Sequence, residues 1–83
     1  MSKKEKLVAR LISRPKDFTF EELTSLLGCF GYKQESSGRT SGSRVVFSNG
    51  RDYIRLHKPH PRNILKSYQV DDIITALRER GLV

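Results

Sequence analysis

Apolar and polar positions along this chain change period between helical and strand-like spacing. Leu7, Val8, Leu11 and Ile12 recur at helical spacing on one face, with lysines and arginines around them, and Pro15 ends the pattern. Arg14-Pro15-Lys16-Asp17 is a connector. The next helix is announced by Thr19 as N-cap and Glu22 three positions on, a capping box, with Phe18 and Leu23 at hydrophobic-staple positions. Its apolar face is Phe20, Leu23, Leu26, Leu27 and Phe30, and Gly31 stands where a left-handed residue closes a helix. Gly28 within it costs about 1 kcal/mol relative to Ala, and marks either close packing or a fraying end.

Alternation then takes over. Tyr32-Lys33-Gln34-Glu35 reads as a short strand, and residues 36–42 as a flexible polar loop carrying Arg39. Asn49-Gly50, between two alternating runs, predicts a β-hairpin closed by a two-residue type I′ turn, since both turn residues then need positive φ. That turn sets Ser48 opposite Arg51, Phe47 opposite Asp52, Val46 opposite Tyr53, Val45 opposite Ile54, Arg44 opposite Arg55 and Gly42 opposite His57. One face carries Val45, Phe47, Ile54 and Leu56, which suits a core. The other carries Arg44, Val46, Tyr53, Arg55 and His57. Two arginines face to face destabilise a sheet unless an anion lies between them, so this face is expected to hold phosphate.

Lys58-Pro59-His60-Pro61-Arg62-Asn63 is a proline-stiffened basic connection. The last helix is expected to bury Val70, Ile73, Ile74 and Leu77, with Asp71 and Asp72 in its first turn, Arg78 and Arg80 in its last, and Gly81 at its end. Tyr68 is expected to pack beneath it. The order helix, helix, three strands, helix describes an α+β sandwich: a three-stranded antiparallel sheet with helices on one face and the other face open.

Charge sharpens this picture. The 83 residues make one small domain, and 16 Lys and Arg against 9 Asp and Glu leave a net charge of +7. Such an excess attracts polyanions at long range. No apolar run approaches the roughly 20 residues of a spanning helix, and the amino terminus leads into no signal-peptide core. A single cysteine, Cys29, forms no internal disulfide and has no companions for a zinc site, so the expected location is the reducing cytoplasm, with neither metal nor cofactor.

Gly31-Tyr32 after a capped helix, then Gly38-Arg39-Thr40-Ser41-Gly42-Ser43-Arg44-Val45-Val46-Phe47, then Leu56-His57-Lys58-Pro59-His60-Pro61 and a closing helix, resemble the HicA family. These are small basic toxins of bacterial type II toxin–antitoxin pairs. The resemblance runs from about Phe18 to Leu82, within a single domain of residues 1–83, and leaves residues 1–15 as an N-terminal helical extension. It implies a double-stranded-RNA-binding-domain-like fold, ribonuclease action on mRNA, and a HicB-like antitoxin as protein partner. The family hallmark Gly-Ser-His supplies a catalytic histidine, and this chain has Arg44 at that position. Metal-free RNA cleavage needs a base for the 2′-hydroxyl proton and an acid for the leaving oxygen, and imidazole titrates in the right range for both. Arginine stays protonated near neutrality, so it holds phosphate and stabilises charge but accepts no proton.

The remaining candidates follow. His57, diagonal to Arg44 in the expected register, is a displaced base or an idle strand-end residue. His60 is a second catalytic candidate or a residue that orders the loop. Arg39, Arg44, Arg55, Lys58 and Arg62 are candidate RNA contacts. Tyr53 either stacks on a base or simply packs across the strands against Val46. Two functions are therefore in competition: an RNA-cleaving HicA-type toxin, and a non-catalytic RNA-binding module of the same fold. A basic face that binds an acidic antitoxin is compatible with either.

Overall fold

Helix boundaries follow the caps. The computed structural model describes residues 2–35, 44–59 and 62–83. Ser2 caps α1 (Lys3–Ile12) by accepting a hydrogen bond from the Glu5 amide, and Thr19 and Glu22 form the expected box at the start of α2 (Phe20–Cys29). Phe18 and Leu23, the staple pair, are both fully buried. Gly31 takes a φ of 89° behind α2 and Gly81 one of 70° behind α3 (Ser67–Glu79), the conformation in which a side chain is disfavoured. No atom lies within 4 Å of where a Cβ on Gly28 would stand, so that glycine mediates no close packing.

Three strands, β1 (Lys33–Gln34), β2 (Arg44–Ser48) and β3 (Tyr53–His57), form an antiparallel sheet in the order β1-β2-β3. Val45, Phe47 and Ile54 turn inward, with Leu56 half-buried beside them. They meet Leu7 and Leu11 of α1, the apolar face of α2, and Val70, Ile73, Ile74 and Leu77 of α3 in one core. Burial of such side chains, at about 1.5–3 kcal/mol each, is the main driving term for the fold. Helices thus cover one sheet face and leave the other open, in the expected order α-α-β-β-β-α. Ion pairs lace the helical layer: Arg10 bridges Asp17 at 2.9 Å and Glu22 at 2.7 Å, and Arg14 meets Asp71 at 2.7 Å. The Arg10 guanidinium holds the Glu22 carboxyl below its ordinary range.

The hairpin departs from the expected register by two residues. Ser48 faces Tyr53, Phe47 faces Ile54, Val46 faces Arg55, Val45 faces Leu56, and Arg44 faces His57. Arg44 is therefore not opposite Arg55, nor is Tyr53 opposite Val46. A shift of two preserves the period-two alternation, so every side chain keeps its expected face. The cause is the asparagine side chain. Asn49 Oδ1 accepts hydrogen bonds from the Arg51 and Asp52 amides at 2.9 and 2.7 Å, closing an Asx-type turn over four residues. Only Gly50 adopts positive φ there, at 94°, so a type I′ turn is not formed.

Two expectations for α3 also change. The helix begins at Ser67, so its first turn holds no acidic residue, and Asp71 and Asp72 lie one turn further in. Tyr68 does not pack beneath the helix: it is 59% exposed. Nor does His57 face Gly42, since Arg44 takes that place in the ladder. The loop at 36–42 and the residues His60 and Pro61 lie outside the described residues.

Candidate nucleic-acid interface

The open sheet face is built by alternation. With Val45, Phe47, Ile54 and Leu56 committed to the core side, Arg44, Tyr53, Arg55 and His57 must point outward, and all four are exposed. Arg44 and His57 are a directly facing pair, whose Cβ atoms lie about 4.5–5.5 Å apart in such ladders. Arg55 is the diagonal neighbour of Arg44, and its guanidinium lies 5.9 Å from the centre of the Tyr53 ring. Arg44, Arg55, Leu56 and His57 line one open recess of about 350 Å³. Neither Arg44 nor Arg55 has an acidic partner among the described residues, whereas Arg10, Arg14 and Arg80 are all paired. The recess is therefore a site of uncompensated positive charge.

A frame of polar contacts holds this face in position. Asp52, in the hairpin turn, accepts from the Tyr32 hydroxyl at 2.6 Å and pairs with the Arg80 guanidinium at the end of α3. Arg80 and Tyr32 together hold the Asp52 carboxyl down at about 2, and the same carboxylate pushes the Tyr32 phenol upward. Arg80 also donates to the carbonyls of Ala76 at 2.8 Å and Tyr53 at 3.3 Å. At the other end of β3, the buried side chain of Gln69 donates to the His57 carbonyl at 2.7 Å, while its oxygen accepts from the Lys66 amide at 3.0 Å. Gln69 thereby fixes the backbone of His57 against α3.

Not every candidate joins the cluster. Lys58 extends over the Phe20 ring, 5.6 Å from its centre, on the side of the helices. Arg62 is exposed in the segment pinned to the start of α2 by the bonds from the Phe20 amide to the Asn63 carbonyl and from the Leu65 amide to the Phe18 carbonyl. Arg39 and His60 lie outside the described residues. Among the described residues no group of three His, Cys, Asp or Glu side chains is placed to hold a metal, and no helix is long and apolar enough to cross a membrane.

Sequence reasoning missed the flank of α3. Tyr68, Asp72 and Ala76 share one helical stripe and, with Leu56, His57 and Ile73, line a groove of about 190 Å³ between α3 and the free edge of β3. The i, i+4, i+8 spacing was visible, but an aromatic residue two positions before an apolar helical ladder was read as core. Comparison with family models, with curated proteins and with solved structures finds no match. What stands is an α+β chain whose open sheet face carries an unpaired arginine pair and an exposed histidine facing one of them.

Proposed function

We propose that this chain is an RNA-binding toxin of the HicA type, acting on mRNA in the cytoplasm and restrained by an acidic HicB-like antitoxin. The observation that carries the reading is the recess of Arg44, Arg55 and His57 on the open sheet face, in which neither arginine is ion-paired among the described residues. Two guanidiniums suit adjacent phosphates. An imidazole directly opposite Arg44 suits proton transfer at a phosphate that Arg44 holds. In this arrangement Arg44 binds and stabilises charge, and His57 is the base displaced from the hallmark position onto the facing strand.

One observation favours a second reading. His57 is exposed and its side chain has no orienting partner among the described hydrogen bonds, whereas catalytic imidazoles are ordinarily held by a second group. The same surface would then bind RNA without cutting it. Titrating labelled single-stranded RNA into the protein at several salt concentrations, and following the same RNA for cleavage, separates the possibilities. Salt-dependent binding with cleavage supports the toxin, binding without cleavage supports the module, and absence of binding rejects both.

A further inference from the structure

The groove between α3 and β3 opens beside the phosphate recess, because Arg55, Leu56 and His57 line both. Its walls are apolar, from Ile54, Leu56, Ile73 and Ala76, and its rim carries two exposed side chains of α3, the Tyr68 ring and the Asp72 carboxylate. At about 190 Å³ it is smaller than the roughly 300–1,000 Å³ of sites for drug-sized ligands. It suits one planar ring system.

An added β-strand fits poorly here. In an antiparallel ladder alternate residues turn their amide and carbonyl away from the partner strand. The Asn49 amide bonds the Asp52 carbonyl and the Glu35 amide bonds the Val46 carbonyl, so on β3 it is Tyr53, Arg55 and His57 that face the free edge. Arg80 occupies the Tyr53 carbonyl and Gln69 the His57 carbonyl. The Tyr53 amide is taken by Asp52 Oδ1, so Arg55 alone keeps both its amide and its carbonyl for a peptide, too little for a ladder.

We propose that the groove is a nucleobase subsite for single-stranded RNA and that it prefers guanine. The inference rests on the RNA-binding reading above. With a phosphate on Arg44 and Arg55, the attached base reaches over the β3 edge into the groove, where Tyr68 supplies a stacking surface. Asp72 is an acceptor only, and a carboxylate presents two acceptors in one plane. Guanine alone among the four bases offers two adjacent donors, N1–H and the N2 amino group, on its Watson–Crick edge. Adenine and cytosine set an acceptor beside their one amino group, and uracil flanks its single N3–H with two carbonyls.

The test is fluorescence anisotropy with a labelled seven-residue oligouridylate and with the same oligomer carrying one central guanosine, adenosine or cytidine. The guanosine oligomer is expected to bind at least about fivefold more tightly than the others. Asp72→Asn should abolish that preference while leaving oligouridylate affinity equal or higher, because a negative charge near phosphate has been removed. Tyr68→Ala should weaken all four oligomers by about fivefold or more, and Tyr68→Phe should restore them, since the ring and not the hydroxyl stacks. Salt-dependent RNA binding with no base preference, or with a preference that survives Asp72→Asn, overturns the subsite while leaving the phosphate face intact. Failure of all four oligomers to bind overturns the RNA reading itself.

Discussion

Arg44 and His57 face each other across the β2–β3 ladder, and the buried side chain of Gln69 holds the His57 carbonyl from behind. On the reading proposed above, this pair divides the work of the recess between a permanent cation and a group able to exchange protons. If the chain cleaves RNA, His57→Ala is expected to abolish cleavage while leaving most of the affinity, which the arginines supply. Arg44→His should raise cleavage by placing an imidazole where the proposed HicA-type reading puts the hallmark histidine. The check is single-turnover cleavage of end-labelled RNA beside filter binding of the same RNA. Cleavage by His57→Ala at the parent rate would move the chemistry elsewhere on the chain.

On the RNA-binding reading proposed above, Arg44 and Arg55 supply phosphate contacts, and each contact to single-stranded RNA adds about 0.7 to the slope of log K against log salt. Arg44→Ala and Arg55→Ala are each expected to weaken binding at low salt and to flatten that slope by about this amount. A binding titration repeated at four salt concentrations measures both effects. Equal slopes for parent and variants would place the phosphates off this face.

Stability should separate the two sheet faces. Ile54→Ala removes a side chain that is 4% exposed and is expected to cost about 2–5 kcal/mol. Arg55→Thr, on the open face and only diagonal to Arg44, should stay within about 0.5 kcal/mol of the parent. Urea titrations of the three proteins give the comparison, and the reverse ranking would invert the faces.

Gln69→Leu should cost about 1–3 kcal/mol despite the added apolar surface, because the Lys66 amide and the His57 carbonyl each lose their partner. The same variant should lower any cleavage rate more than RNA affinity, since it frees the backbone beneath His57. Denaturation and cleavage of one purified variant test both statements.

The turn frame predicts a pH dependence. Arg80, with Tyr32, lowers the Asp52 carboxyl from 3.8 to about 2 in the folded protein. A depressed carboxyl stabilises the fold fully above its unfolded value and loses that contribution as pH falls toward the folded one. Parent and Asp52→Asn should therefore differ in melting temperature above about pH 4, and the difference should close between about pH 4 and pH 2. A gap that is constant across this window would remove Asp52 from the frame.

Much of this arrangement was legible from residue order. The capping box at Thr19 and Glu22, the left-handed Gly31 and Gly81, and the alternation through Val45 to Leu56 are local patterns, and local physics decides them. The hairpin register was not, because Asn49-Gly50 serves equally well as the centre of a two-residue turn or as the first half of a four-residue one. Asn49 closes the longer turn through its own side chain, and contacts distant in sequence, from Tyr32 and Arg80, then hold Asp52 in it. Tyr68 is a different case: it stands two residues before Val70, on the side of the helix away from Val70, Ile73, Ile74 and Leu77, so its exposure follows from the helical period itself.

The grip on Asp52 also decides how portable this surface is. The arginines and the histidine sit within a stretch of 14 residues, which invites transplanting the hairpin as a short peptide or grafting it onto another scaffold. Its anchors, however, come from Tyr32, Gln69 and Arg80, well outside that stretch. A two-stranded ribbon alone is marginally stable in water, and this one sets Arg44, Arg55 and His57 side by side with nothing to offset their crowding. Cut free, the segment keeps its charge and loses its shape, so what it recognises belongs to the whole domain.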